Sequence, residues 1–168
     1  MKSENGHITW KKNEWVKVKG ELKMCYNGLH SSVEPYDAFS YVQGEILALV
    51  ECRGEHLEEN DKSCWREQRV IKTCRWTKKD SVRLAIYSAE LVIKNFEKKY
   101  PEDKRPRQAI QAAKRWLKNP TKKNQNAASS AASSAASSAS SAYYAASYAA
   151  AIKKIQKYFK KIVTEKGL

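Results

Sequence analysis

The sequence predicts an α+β fold: a small N-terminal sheet with one short helix, then a three-helix C-terminal part ending in a long Ala/Ser-rich helix. Three observations carry this. Apolar residues recur with a period near 2 before Trp76 and near 3.6 after it. Residues 127–142 consist only of alanine and serine. The charge divides at the same place: residues 1–75 hold 12 Lys/Arg and 12 Asp/Glu, whereas residues 76–168 hold 20 and 6, so the whole net charge of +14 lies in the second half. The expected organisation is an α+β part over 1–76 and a basic helical part over 77–168, packed as one compact unit.

Trp15-Val16-Lys17-Val18-Lys19 alternates apolar and polar residues, as a half-buried strand does, and Glu21 to Tyr26 resumes the alternation after Gly20. Asn27-Gly28 signals a turn. Glu34 to Tyr41 reads as a short helix with Pro35 in its first turn. Glu45 to Cys52 and Gln68 to Cys74 read as strands, and the acidic stretch Glu55 to Asp61 between them as a solvated loop. Beyond Trp76, Thr77, Asp80 or Ser81 caps a helix to about Lys99, with Val82, Ala85, Ala89, Val92 and Phe96 as its apolar stripe and Ile86 and Ile93 alongside. Pro101 stops it. Asp103 caps a second helix with Pro106 in its first turn; its apolar face is Ala109, Ile110, Ala113, Trp116 and Leu117, and it ends at Asn119-Pro120. A third helix is expected from about Ala127 to Val163, because alanine has the best helix propensity and no Gly or Pro interrupts it. Its far end is amphipathic, with Ile152, Ile155, Phe159 and Ile162 on one side.

Composition excludes several classes. No apolar run reaches the eighteen or so residues of a membrane span. No apolar stretch follows the first residues as in a signal peptide, so the expected location is the cytoplasm, with the four cysteines reduced. Cys25, Cys52, Cys64 and Cys74 lie 27, 12 and 10 positions apart, and His30 is near the first. Structural zinc sites use a tighter Cys-x2-4-Cys pair, so the cysteines read as small buried hydrophobes and no metal or cofactor is expected. No phosphate-cradling glycine run and no Ser-His-Asp or Cys-His spacing announces catalysis.

The basic residues are the candidate binding site. Lys104, Arg105, Arg107, Lys114, Arg115, Lys118, Lys122 and Lys123 follow one another along the second helix and into the next segment. Lys153, Lys154, Lys157, Lys160 and Lys161 coat the last helix. Charge on an amphipathic helix is usually a solvated face. Here almost no acid is interleaved, since Glu165 is the only carboxylate side chain after Asp103. Like charges at i,i+3 and i,i+4 each cost a helix about 0.2–0.5 kcal/mol, so a helix that keeps them gains elsewhere. Nucleic acid, a nucleoprotein effector or an acidic protein surface would meet such a field. Tyr143, Tyr144 and Tyr148 have helical spacing and read as packing residues before base-stacking ones.

Three parts of the chain resemble known families. Gly28-Leu29-His30-Ser31-Ser32 with Ala38 and Tyr41 is similar to the strand and following helix that frame the nicotinamide pocket of ADP-ribosyltransferases. That likeness implies an upstream basic residue and a downstream Glu, for which His7 and Glu51, Glu55 or Glu67 are at hand. The plainer reading is a strand, turn and helix with core aromatics. The first half, through Trp15, Gly20, Cys25, Gly28-Leu29-His30, Asp37 to Tyr41 and Val50-Glu51, resembles a domain of unknown function common in phage and prophage proteins. The second half resembles a helical immunity protein family of bacteria, through Ala85, Glu90, the string Tyr100 to Ile110, Trp116-Leu117 and the Ala-rich helix. Neither of these two families brings a catalytic set. The resemblance implies a non-enzymatic protein of bacterial or phage conflict inside the host bacterial cell. Such a protein would inhibit a nucleic-acid-associated effector in an anti-defence or anti-CRISPR-like manner, or neutralise a toxin by protein contacts alone.

Overall fold

The computed structural model describes residues 8–41, 44–139 and 145–168. The chain divides into two compact units, residues 1–76 with 159–168, and residues 77–158. The last ten residues, which by sequence continue the basic helical part, cluster with the N-terminal sheet.

In the first unit, strands β1 (Trp15–Lys17), β2 (Leu29–Ser31), β3 (Ile46–Glu58) and β4 (Ser63–Arg75) form one antiparallel sheet. β4 is its centre, pairing with β3 along one side and with β2 and β1 along the other. Both long strands outrun the expected segments because they form one hairpin. Glu55 to Glu58, expected as loop, complete β3 opposite β4, with a bulge between Arg53 and His56 where Gly54 takes φ +84°. Glu21 to Tyr26 is not the expected strand. It is a turn closed by a Lys23–Asn27 bridge, and the Asn27 side-chain amide donates to the carbonyls of Lys19 and Glu21 at 2.8 and 2.7 Å. Arg66 donates to the carbonyls of Val18 and Gly20, so two side chains hold a segment that the sheet does not pair.

Cross-strand charge and rings form a lattice over this sheet. Arg69 pairs with Glu51, and Arg53 and Lys17 both pair with Glu67. The Arg53 and Arg69 guanidinium groups sit 3.9 and 4.9 Å from the Trp15 ring centroid. His56 stacks on Trp65 at 4.2 Å.

The core of the unit is an aromatic cluster. Helix α1 (Pro35–Tyr41) supplies Tyr36 and Phe39, the chain after β4 supplies Trp76, and helix α5 (Ala145–Glu165) supplies Phe159. Phe159 lies 4.5 Å from Trp76, 5.3 Å from Phe39 and 5.7 Å from Tyr36, centroid to centroid, and with Ile162 it is fully buried. Gly28 precedes β2 with φ +148°, and a Cβ there would come within 2.0 Å of the buried Cys64 sulfur.

In the second unit, helix α2 (Lys78–Lys99) opens with a capping box. Asp80 N donates to Thr77 Oγ1 at 3.4 Å, and the Asp80 carboxylate accepts from Thr77 N at 2.8 Å. Helix α3 (Arg105–Lys118) packs Ile110 against Ile86 and Ile93, with Val82, Ala89, Ala113 and Leu117 around them. The α2 stripe is rotated from the expected one: Val82, Ile86, Ala89 and Ile93 line the core, while Ala85 and Val92 are exposed. Helix α4 (Lys122–Ala139) starts five residues before the expected Ala127, because Thr121 caps it through a 3.2 Å bond from Asn124 N to its hydroxyl. Whether α4 and α5 join as the single expected helix falls on residues 140–144, outside the described residues, as do Tyr143 and Tyr144.

Two substitutions test this core. Phe159→Ala is expected to cost about 3–5 kcal/mol in denaturant unfolding, as loss of a fully buried ring does. Gly28→Ala should cost about 2 kcal/mol or more from overpacking against Cys64, whereas Gly44→Ala, whose Cβ meets only backbone at 3.9 Å, should stay within about 0.5 kcal/mol.

Candidate partner-binding surface

The thirteen sequence-predicted cations separate into two groups on structural grounds. Three are already engaged. Arg107 makes a two-pronged contact with Glu97, Nε and Nη2 donating at 2.7 and 2.5 Å, and so ties the start of α3 to the end of α2. Lys114 bonds Glu90 at 2.6 Å about two turns further along the same pair of helices. Arg105 pairs with Asp103 at 2.8 and 2.7 Å, and the same carboxylate accepts from Arg105 N at 3.1 Å. Asp103 therefore does the expected capping, but from one position outside Lys104, which is the cap residue by backbone and contributes no side-chain cap bond. Its ammonium group instead donates to the Pro101 carbonyl.

The Arg107 guanidinium holds the Glu97 carboxyl below its ordinary value, and Glu97 in turn raises Arg107. Because the folded value is depressed, the stabilisation is complete above the ordinary value of 4.5 and fades as pH falls through the folded one.

The remaining ten are exposed, and none forms an ion pair with a carboxylate among the described residues. On α3, Lys104, Gln108, Gln111, Arg115 and Lys118 follow the spacing i, i+4, i+7, i+11, i+14 and form one exposed stripe with no acid in it. Lys122 and Lys123 open α4 immediately after, where the positive end of a helix dipole disfavours them.

The α5 lysines are the denser set. At about 100° per residue, Lys153, Lys154, Lys157, Lys160 and Lys161 fall within about a third of the helix circumference and about 12 Å of its length. Phe159, Ile162 and Val163 are buried on the other side and fix which way the lysines face. Lys157 has a like charge at both i±3 and i±4, through Lys153, Lys154, Lys160 and Lys161.

The enzyme-like string does not assemble a catalytic set among the described residues. His30 Nε2 accepts from Cys25 N at 3.0 Å, and burial together with Lys62 pushes the imidazole below its ordinary value, so it stays neutral as an acceptor. Tyr41 donates to Asp61 at 2.6 Å. Glu51, Glu55 and Glu67 are each held by an arginine, Arg69, Arg66 and Arg53. His7 lies outside the described residues. Cys64 and Cys74 are buried and Cys25 is exposed, and no three His, Cys, Asp or Glu side chains converge among the described residues. Nor is any described helix long and apolar enough to cross a membrane.

The Glu97–Arg107 link is checked by pH. The stability difference between the protein and its Glu97→Gln variant should be largest at neutral pH and shrink as pH falls below 4.5. Thermal melts across that range measure it.

Comparison with known proteins gives two family matches. Residues 1–80 match a domain of unknown function, DUF7666. Residues 73–157 match the family described as Imm-5 like putative immunity protein. No curated protein and no solved structure matches the chain. The second match takes in α2, α3, α4 and most of α5, including the Glu97–Arg107 and Glu90–Lys114 links, and covers just over half of the sequence. The chain belongs to the Imm-5 like putative immunity protein family.

Proposed function

We propose that this protein neutralises a partner toxin by occupying it, and that the lysine face of α5 is the principal contact, seated on an acidic surface of the toxin. The family gives an immunity-type role and with it a protein partner. The observation that carries the finer reading is the cluster of five exposed lysines on one face of α5, with Glu165 the one carboxylate side chain of that helix. Exposed helices normally interleave acids among such residues, because each opposite-charge pair stabilises the helix and each like-charge pair opposes it. A surface that forgoes this stabilisation is matched to charge outside the molecule. The exposed stripe of Lys104, Arg115 and Lys118, with Lys122 and Lys123, is a second basic surface available to the same partner. The protein acts by binding, without a chemical step or a cofactor.

A second reading, inhibition of a nucleic-acid-associated effector of the anti-defence kind, rests on the same lysines, because a phosphate backbone suits such a lysine face equally well. The two part experimentally. The full chain, used as bait in lysate of its native host with and without nuclease, should retain its protein partner after nuclease treatment. The triple substitution Lys153→Glu, Lys157→Glu, Lys160→Glu should release it. Capture that disappears with nuclease overturns the toxin reading in favour of nucleic acid. Retention of the partner by the triple variant removes the α5 face from the contact.

Lys157→Glu alone separates function from fold. It replaces four like-charge neighbours by four opposite-charge ones, so it should raise stability by about 1–2 kcal/mol in denaturant unfolding, less than the simple sum over pairs because exposed charges are screened. The same variant should weaken partner binding at least about tenfold. A variant that gains stability and keeps full affinity would show the lysine face to be merely solvated.

A further inference from the structure

The first unit has an open strand edge. Among the described residues β3 pairs with β4 alone, so its other side presents backbone N–H and C=O groups to no strand. Proteins normally protect such an edge with short length, lysine or proline. β3 is thirteen residues long, about 43 Å of strand, and contains neither lysine nor proline in a chain with 32 Lys/Arg. Its bulge lies at Gly54, which leaves Ile46 to Arg53 as a regular segment; the other register shift, at Leu49/Val50, is accommodated by the extra residue Ile71 on β4. Three of the seven large apolar residues most exposed among those described are on this one strand, Ile46 (47% exposed), Leu49 (49%) and Leu57 (39%).

Charge identifies what the edge accepts. Up to the bulge, the carboxylates each carry their own arginine from β4: Glu45, just ahead of the strand, with Arg75, and Glu51 with Arg69; Glu55, at the bulge, is held by Arg66. Between Ile46 and Arg53 the edge thus offers no uncompensated charge to a strongly acidic or basic strand, since Arg53 is itself held by Glu67. It does match itself. In an antiparallel pair of two β3 strands about a two-fold axis through Leu49, residue i faces residue 98 − i of the other copy. Leu49 then meets Leu49, Ala48 meets Val50, and Glu45 stands opposite Arg53 twice over, so opposite charges meet even though each already has a partner in its own sheet. Every other register that keeps like faces together either gives up the Leu49 contact with itself or runs the pairing through the Gly54 bulge.

We infer that β3 is the docking edge for a second copy of this chain, joining two four-stranded sheets into one of eight strands through the segment Ile46 to Arg53, with Leu49 at the two-fold axis. This edge lies on a strand of the first half of the chain, and its proposal does not use the lysines of α5.

The test is the mass in solution of the full chain, by light scattering across a dilution series. The protein is expected to be a dimer that dissociates on dilution. Leu49→Lys and Leu49→Glu each place like charges opposite one another and should each raise the dissociation constant about tenfold or more. Mixed one to one, the two variants should pair again, a recovery that misfolding of either would not permit. A monomer at every concentration, a Leu49→Lys variant that dimerises as the original does, or a mixture that fails to pair would each overturn the inference.

Discussion

The structure turns on the seat of Phe159. Its ring stacks on Trp76 and meets Phe39 and Tyr36, so a residue near the end of the chain completes the core of the sheet formed by its beginning. A small four-stranded sheet with one seven-residue helix buries little apolar surface by itself, and the end of α5 adds Phe159, Ile162 and Val163 to it. That placement has an electrostatic consequence. A helix anchored by one buried face has no freedom to turn its lysines elsewhere, so the same residues that close the core orient Lys153, Lys157 and Lys160 outward.

The cations divide by the company they keep. Where the fold needs a charge, it supplies the carboxylate: Glu97 for Arg107, Glu90 for Lys114 and Asp103 for Arg105. These contacts are at least partly exposed and individually modest, yet the first two cross between α2 and α3 and set their register alongside Ile86, Ile93 and Ile110. Where the fold has no such need, the lysines stand without acids. Family membership over residues 73–157 gives this division its meaning, because an immunity-type protein works through a surface that another molecule completes.

The sheet shows a different use of charge. On β3 and β4 every arginine at the lattice has its glutamate, and Trp15 lies between two of them. This arrangement consumes the balanced charge of the first half locally. The field of the molecule therefore comes from the helices, and the open edge of β3 is left to backbone and apolar contacts.

The sequence by itself determined the class of fold, the site where period 2 gives way to period 3.6, the two helices bounded by Thr77 and Asn119, and the location of the net charge. These follow from local rules of periodicity, capping and composition that act within a few residues of chain. It also placed Phe159 and Ile162 on the apolar face of the last helix. Only the tertiary structure decided what that face packs against, because the partners Tyr36, Phe39 and Trp76 are 83 or more positions away in the chain. It likewise decided that Glu21 to Tyr26 is a turn, since the side chains of Asn27 and Arg66 satisfy carbonyls that a strand would have paired. The rotation of the α2 stripe depended on Ile110 across the helix pair. Above all, thirteen cations that look equivalent in sequence became two that tie α3 to α2, one that braces the start of its own helix and ten that face outward, because a charge has a structural role only where a carboxylate comes within reach.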